Sequence, residues 1–258
     1  MSTFSKNGRR SVAAVASVVL LGTLAYSVQP GSAVASGPVG EAQSAPKAPP
    51  TIPLPPPSDF VQQVDNLYSP FLPGMRWIYG GDTAEGHERI TVDVLNRTKM
   101  IEGIRATVVH DVVKLDGELI EATFDWYAQD LRGTVWYLGE DTKVYRNGRV
   151  VSREGSWEAG VDGAMAGIVM FAHPKPGEPY RQEFYRGHAE DQAQFLTLST
   201  QATTEAGHFS HVRLTEDTTA LDPTVVELKC YAPGVGIVQE FDLSPEAART
   251  ELLSFQGP

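Results

Sequence analysis

The chain has 258 residues, a formal charge of −11 and an isoelectric point near 5.0. That balance argues against a nucleic-acid partner, because phosphates demand a basic footprint, and is compatible with binding a cation or with plain solubility. Its single cysteine, Cys230, excludes an internal disulfide, so the core must hold itself together.

Lys6, Arg9 and Arg10 precede an apolar run from Val12 to Val28, and Ala33-Val34-Ala35 follows Pro30. This order predicts a secretory signal peptide over residues 1–35, cleaved near Ala35. The run is short for a bilayer span and carries Ser17, Gly22, Thr23 and Ser27, so no transmembrane anchor is expected in the mature chain. Arg9-Arg10 is followed by Ser11-Val12, a poor match to a twin-arginine signal, and the export route stays open. Cleavage removes three cations and no acid, leaving the secreted chain more acidic still. Residues 36–58 hold eight prolines with Gly, Ser and Ala, which predicts an extended linker that buries no core. Residues 59–258 are then a single all-β domain.

Residues 59–68 place Phe60, Val64 and Leu67 at helical spacing, enough for one or two turns before Pro70 and Pro73. Beyond Trp77 the apolar period is two almost everywhere. Candidate strands are 75–79, 88–95, 104–115, 118–129, 134–140, 142–146, 149–153, 165–171, 180–186, 192–200, 209–216, 224–231 and 235–243. Turn signals separate them, which reads as a curved antiparallel sheet or incomplete barrel with meander topology. The tail beyond Ser244 predicts a short helix with Ser244 as N-cap and Pro245 at its first position, a final strand being the alternative. Cys230 falls in the strand VVELKCY, where a buried structural thiol is expected.

Asp116-Gly117 and Asn147-Gly148 supply the positive φ of two-residue hairpin turns, and Gly133 suits the left-handed position of a three-residue loop. With Asp116-Gly117 as turn centre, Val113 pairs with Ile120, Asp111 with Ala122, Val109 with Phe124 and Thr107 with Trp126. The next loop sets Trp136 against Ala128 and Leu138 against Trp126. These residues would form the core face. The opposite face then gathers His110, Glu121, Thr123, Asp125, Tyr127, Tyr137 and Asp141, with Glu121 and Asp125 roughly 7–8 Å from His110 as diagonal neighbours. Val108, Val112 and Val135 lie there too, and that mixture suggests a partly covered, concave face.

This face carries the main candidate site. His110, Glu121, Asp125, Tyr127 and Tyr137 are the expected ligand-binding residues. A histidine oriented by a carboxylate could also act as a base, which makes His110 and Asp125 catalytic candidates. A cross-strand salt-bridge network is the bland reading of the same residues. A second group interleaves acids with glycines, Gly139-Glu140-Asp141-Thr142 and 155–163. Glu140, Asp141 and Asp162, with Glu158 nearby, could supply oxygens to Ca2+, although no EF-hand spacing is present. A third, RQEFYRGHAEDQAQF at 181–195, carries Glu183, His188, Glu190 and Asp191, a metal site only if a spaced ligand joins them. No G-x-S-x-G nucleophile elbow occurs.

The order N-x-Y-x-P-F-x-P-G-x-x-W-x-Y at 66–79, DWYAQD at 125–130, VWYxGEDT at 135–142, GSWEAGVDGA at 155–164, AED at 189–191 and KxYAPGVG at 229–236 resembles an uncharacterised family of exported bacterial all-β proteins. Cys230 departs from the aromatic expected there. The resemblance implies no catalytic role. By shape alone it is similar to lipoprotein-carrier and lipocalin-like curved sheets that hold apolar ligands.

The sequence therefore reads as an exported binding protein that holds a small or amphipathic ligand on a concave β-face, with cell-envelope association and a bound cation as further expectations. A secreted hydrolase or lyase using His110 with acidic partners is one alternative. An envelope scaffold without a small ligand is the other.

Overall fold

The computed structural model describes residues 49–243 and 247–258. The expected signal peptide and most of the linker lie outside the described residues. Fifteen strands follow in order: β1 (Arg76–Thr83), β2 (Gly86–Ile101), β3 (Ile104–Leu115), β4 (Glu118–Gln129), β5 (Val135–Arg146), β6 (Arg149–Ser152), β7 (Trp157–Glu158), β8 (Met165–Met170), β9 (Tyr180–Arg181), β10 (Glu183–Phe184), β11 (Asp191–Thr204), β12 (Gly207–Thr219), β13 (Val226–Ala232), β14 (Gly236–Asp242) and β15 (Ala248–Gln256).

All belong to one antiparallel sheet in the order β10-β8-β5-β4-β3-β2-β1-β15-β14-β13-β12-β11-β9, with β6 and β7 also paired to β5. Its two ends are β10 and β9, which are separated in sequence only by Gln182. The segment 180–184 therefore bridges one seam and nearly closes the sheet into a barrel. Gly167 on β8 permits that closure, because a Cβ there would collide with the Gln182 carbonyl oxygen.

Two expectations at the chain ends are corrected. The tail is the alternative, a final strand β15 and not a helix, because it fills the gap between β1 and β14 and satisfies two sheet edges at once, while Ser244 and Pro245 lie outside the described residues. Residues 59–68 are not helical beyond a 3-10 turn at Pro57–Asp59. Their backbone is claimed elsewhere: Val61 N donates to the Gln129 carbonyl at 2.9 Å, and Phe60 and Val64 form bridges with Asp130 and Phe71. This segment lies against the barrel, where Phe71 stacks on Tyr127 at 4.3 Å. The last linker residues also touch the fold, since the Pro49 carbonyl accepts from Arg181 Nε at 3.1 Å and Leu54 packs on the core.

Bulges decide the faces. The β3–β4 hairpin turns at Asp116 and Gly117, both at positive φ, as expected. Its register, however, shifts between Val113 and Lys114: Lys114 pairs with Leu119 and Val113 with Glu121. Ile120 is the extra residue, so β4 beyond it is one residue out of the expected register. A one-residue slip exchanges the two faces of a strand. A second shift on β5 pairs Asp125 with Glu140, although Tyr127 still pairs with Tyr137 and Ala128 with Trp136 as expected. Gly139, at φ +130°, lies within that irregularity.

The inward rows of the barrel become Val109-Asp125-Glu140, Asp111-Thr123-Thr142 and Thr107-Tyr127-Tyr137. Phe124 and Asp141, expected inside and beside the site respectively, join His110 on the outer face.

Candidate functional site

The inner face is unusually polar for a buried surface. Glu88, Asp111, Asp125, Glu140, Glu183, Asp191, Asp217, Glu227 and Glu240 are all buried, as are Tyr79, Tyr127, Tyr137, Tyr180 and Tyr231. These groups fall into two regions, distinguished by one lysine.

In the first region, Lys229 of β13 places its Nζ 3.0 Å from Glu227 Oε2, 3.4 Å from Asp217 Oδ2 and 3.9 Å from Glu240 Oε2. Burial alone would lower the ammonium's pKa. The carboxylates Glu227, Glu240 and Asp217 outweigh it and hold the pKa well above its usual value.

In the second region no Lys or Arg among the described residues forms an ion pair with Asp111, Asp125, Glu140 or Glu183. Tyr137 Oη donates to Asp125 Oδ1 at 3.2 Å, Thr142 Oγ1 donates to Glu140 Oε2 at 2.9 Å, and Trp157 Nε1 donates to Glu183 Oε2 at 2.7 Å. Both oxygens of Asp111, and Asp125 Oδ2, Glu140 Oε1 and Glu183 Oε1, meet no hydrogen-bond partner of good geometry among the described residues. Burial, reinforced by neighbouring carboxylates, pushes Asp111, Asp125 and Glu183 well above the ordinary carboxyl range. Burial does the same to Glu140, against the opposing bond from Thr142. Glu88 rises to about 8 through burial and Glu121, and Asp191 to about 7 through burial. Adjacent carboxyls in so dry a setting are held neutral by protons.

A pocket of about 400 Å3 opens beside this second region. Its walls include Glu140 and Asp141 of β5, Trp157 and Glu158 of β7, Trp126 of β4 and Lys99 of β2, and it is completed by Asp162 and Tyr185. Lys99 Nζ sits 3.2 Å from the centre of the Trp126 ring and 2.7 Å from Glu158 Oε2. Asp141 is held by Lys143 at 3.3 Å and Arg153 at 2.9 Å. A smaller cavity of about 40 Å3 lies within the barrel among Phe71, Trp77, Tyr79, Tyr127, Gln182, Lys229 and Tyr231, room for only a few waters.

The structure divides the expected ligand site. Glu121, Asp125, Tyr127 and Tyr137 do share one face, and Glu140 and Asp111 join them. His110 does not. It pairs with Phe124 on the outer face and stacks on that ring at 4.4 Å. Burial lowers its pKa, opposed by Asp93. His110 and Asp125 thus lie on opposite sides of the sheet and cannot form an acid–base pair. The physical reason is the bulge at Ile120, which no residue of the turn announces.

Glu140, Asp141 and Asp162, the expected Ca2+ ligands, do line one pocket. Among the described residues, however, no three His, Cys, Asp or Glu side chains are grouped closely enough to hold a metal. In the third constellation Glu183 and Asp191 are buried, whereas His188 stacks on Tyr185 at 4.3 Å. Cys230 is buried and free, with burial pushing its thiol to about 11.

Sequence reasoning missed Lys229 and its acids, and Lys99, Trp157 and Tyr185 of the pocket. The alternation Glu227-Leu228-Lys229-Cys230-Tyr231 was the available signal. Read alone, it sends the charged face to solvent.

No family model matches the chain, and no curated protein matches it. Two solved structures share part of its chain trace. One is a candidate exported protein with a YmcC-like fold from Bacteroides fragilis, 13% identical, covering 74% of this chain and 100% of that one, at a TM-score of 0.44. The other is a candidate lipoprotein from Parabacteroides distasonis, 12% identical, covering 74% of this chain and 99% of that one, at a TM-score of 0.40. At these values the likeness assigns no function.

Proposed function

We propose that this chain is an exported binding protein that holds a small ligand in the pocket formed by Trp126, Trp157, Tyr185, Glu140, Glu158 and Asp162. The expected signal peptide and linker support export. One observation carries the binding reading: a cavity of about 400 Å3 combines three aromatic walls, Trp126, Trp157 and Tyr185, with the carboxylates of Glu158 and Asp162. Apolar walls with a few fixed polar groups are the usual make-up of a ligand site.

The proposed site differs from the concave face expected from the sequence, from which His110 is separated by the register shift. That face is the packed barrel interior, and the open volume lies where β7 meets the irregular part of β5. The reading makes no use of His110.

Tryptophan fluorescence tests it directly. A small-molecule library should yield ligands that perturb emission, and the perturbation should vanish in Trp126→Phe and Trp157→Phe combined. Hits that survive both substitutions place binding elsewhere and defeat the proposal.

A further inference from the structure

We infer that the pocket takes an organic cation, a substituted ammonium, and that Lys99 is its built-in occupant, displaced when the ligand enters. This inference rests on the ligand-pocket reading above and names the ligand class.

Four carboxylate residues, Glu140, Asp141, Glu158 and Asp162, line the pocket with a single cationic residue, Lys99. Asp141 is already neutralised by Lys143 and Arg153. Glu140 is held neutral by burial, and Glu158 and Asp162 still outnumber Lys99, so the pocket favours positive charge and repels anions.

Lys99 shows how a cation would be held. Its ammonium rests on the face of Trp126 while Glu158 accepts from it. A ring face combined with a carboxylate is the chemistry by which proteins recognise ammonium groups. Both partners of the Lys99–Glu158 pair are one-third exposed, so water and a competing ammonium can reach it. Lys99 satisfies only part of the site. It pairs with Glu158 and leaves Asp162, the other acid of the lining, to a second positive charge.

The geometry disfavours a bare metal ion. Among the described residues no three His, Cys, Asp or Glu side chains are grouped closely enough to hold a metal, whereas the aromatic walls suit a cation with apolar substituents. A pocket of this volume accommodates a small amine with apolar substituents.

The test is calorimetric titration of the purified chain with choline, with its uncharged isostere 3,3-dimethylbutan-1-ol and with benzoate. Choline should bind at least tenfold more tightly than the alcohol, and benzoate not at all. Lys99→Met should tighten choline binding several-fold by freeing the Trp126 face, whereas Lys175→Met at an exposed distant lysine should leave it unchanged. Glu158→Gln should weaken it about tenfold. If the alcohol binds as tightly as choline, the cation class is wrong while the pocket stands. If Lys99→Met weakens choline or leaves it unchanged, Lys99 is not a competing occupant. If none of the three probes binds while library hits still depend on Trp126 and Trp157, the class alone fails. If those hits are also lost, both readings fall.

Discussion

The two halves of the barrel interior solve one electrostatic problem in different ways. Around Lys229, one ammonium faces Asp217, Glu227 and Glu240, and burial still pushes the Glu240 carboxyl well above its usual range. Across the barrel, Asp111, Asp125, Glu140 and Glu183 have only hydroxyl or indole donors, or none, and their charge is removed by protonation. The first half depends on a side chain and the second on pH. A buried charge with its counter-charge is stable across a wide pH range, whereas a carboxyl kept neutral by burial is stable only while protons are available.

The largest break in that comparison should come from Lys229→Met. It removes the one ammonium that faces three buried acids, and removing one partner of a buried ion pair costs about 3–5 kcal/mol. Melting temperature should fall by roughly 10 °C at pH 7, with partial recovery at pH 5, where the orphaned acids can protonate. An unchanged melting temperature would mean that the lysine contributes little net stabilisation.

The second effect is the pH profile of the unaltered protein. Glu88 and Asp191 have folded pKa values of about 8 and about 7, above their unfolded values near 4. The folded state therefore binds more protons, and the stabilisation is complete below the unfolded values and is lost as pH rises through about 7 and 8. Melting temperature should drop between pH 5 and pH 9 by an amount worth a few kcal/mol. Glu88→Gln should shallow that slope, and a profile that rises with pH would contradict the protonated-core account.

A smaller effect is expected from Asp125→Asn. The amide keeps the shape and can accept from Tyr137, so stability at pH 7 should change by less than about 1 kcal/mol, in contrast to Lys229→Met. A loss comparable to the lysine variant would show that Asp125 is charged in the folded state. Smallest of all, His110→Ala removes only an outer-face stack on Phe124, worth about 0.5–1.5 kcal/mol. It should leave ligand binding intact, and any loss of binding would reopen the outer face as a site.

How far the site could be read in advance varies with distance from the turns. The Tyr127–Tyr137 pair sits close to the 130–134 loop and was derivable from it. His110 and Asp125 lie beyond the Ile120 bulge, where counting residues back from Asp116-Gly117 gives the wrong face. The gathering of Glu140, Asp141 and Asp162 around one pocket was foreshadowed by their interleaved glycines. The aromatic walls were not, because Trp157 and Tyr185 come from separate short segments.

The residues alone determined the all-β class, most strand positions, the hairpin corners and the buried Cys230, since period-two alternation and positive-φ turns are local properties of the chain. Which face of each strand is inside was decided only by closure of the sheet. Strand β13 offers Glu227, Lys229 and Tyr231 on one side and Leu228 and Cys230 on the other. Local polarity points the charged side outward, and only pairing with β12 and β14, which bring Asp217 and Glu240 beside Lys229, makes its burial tolerable.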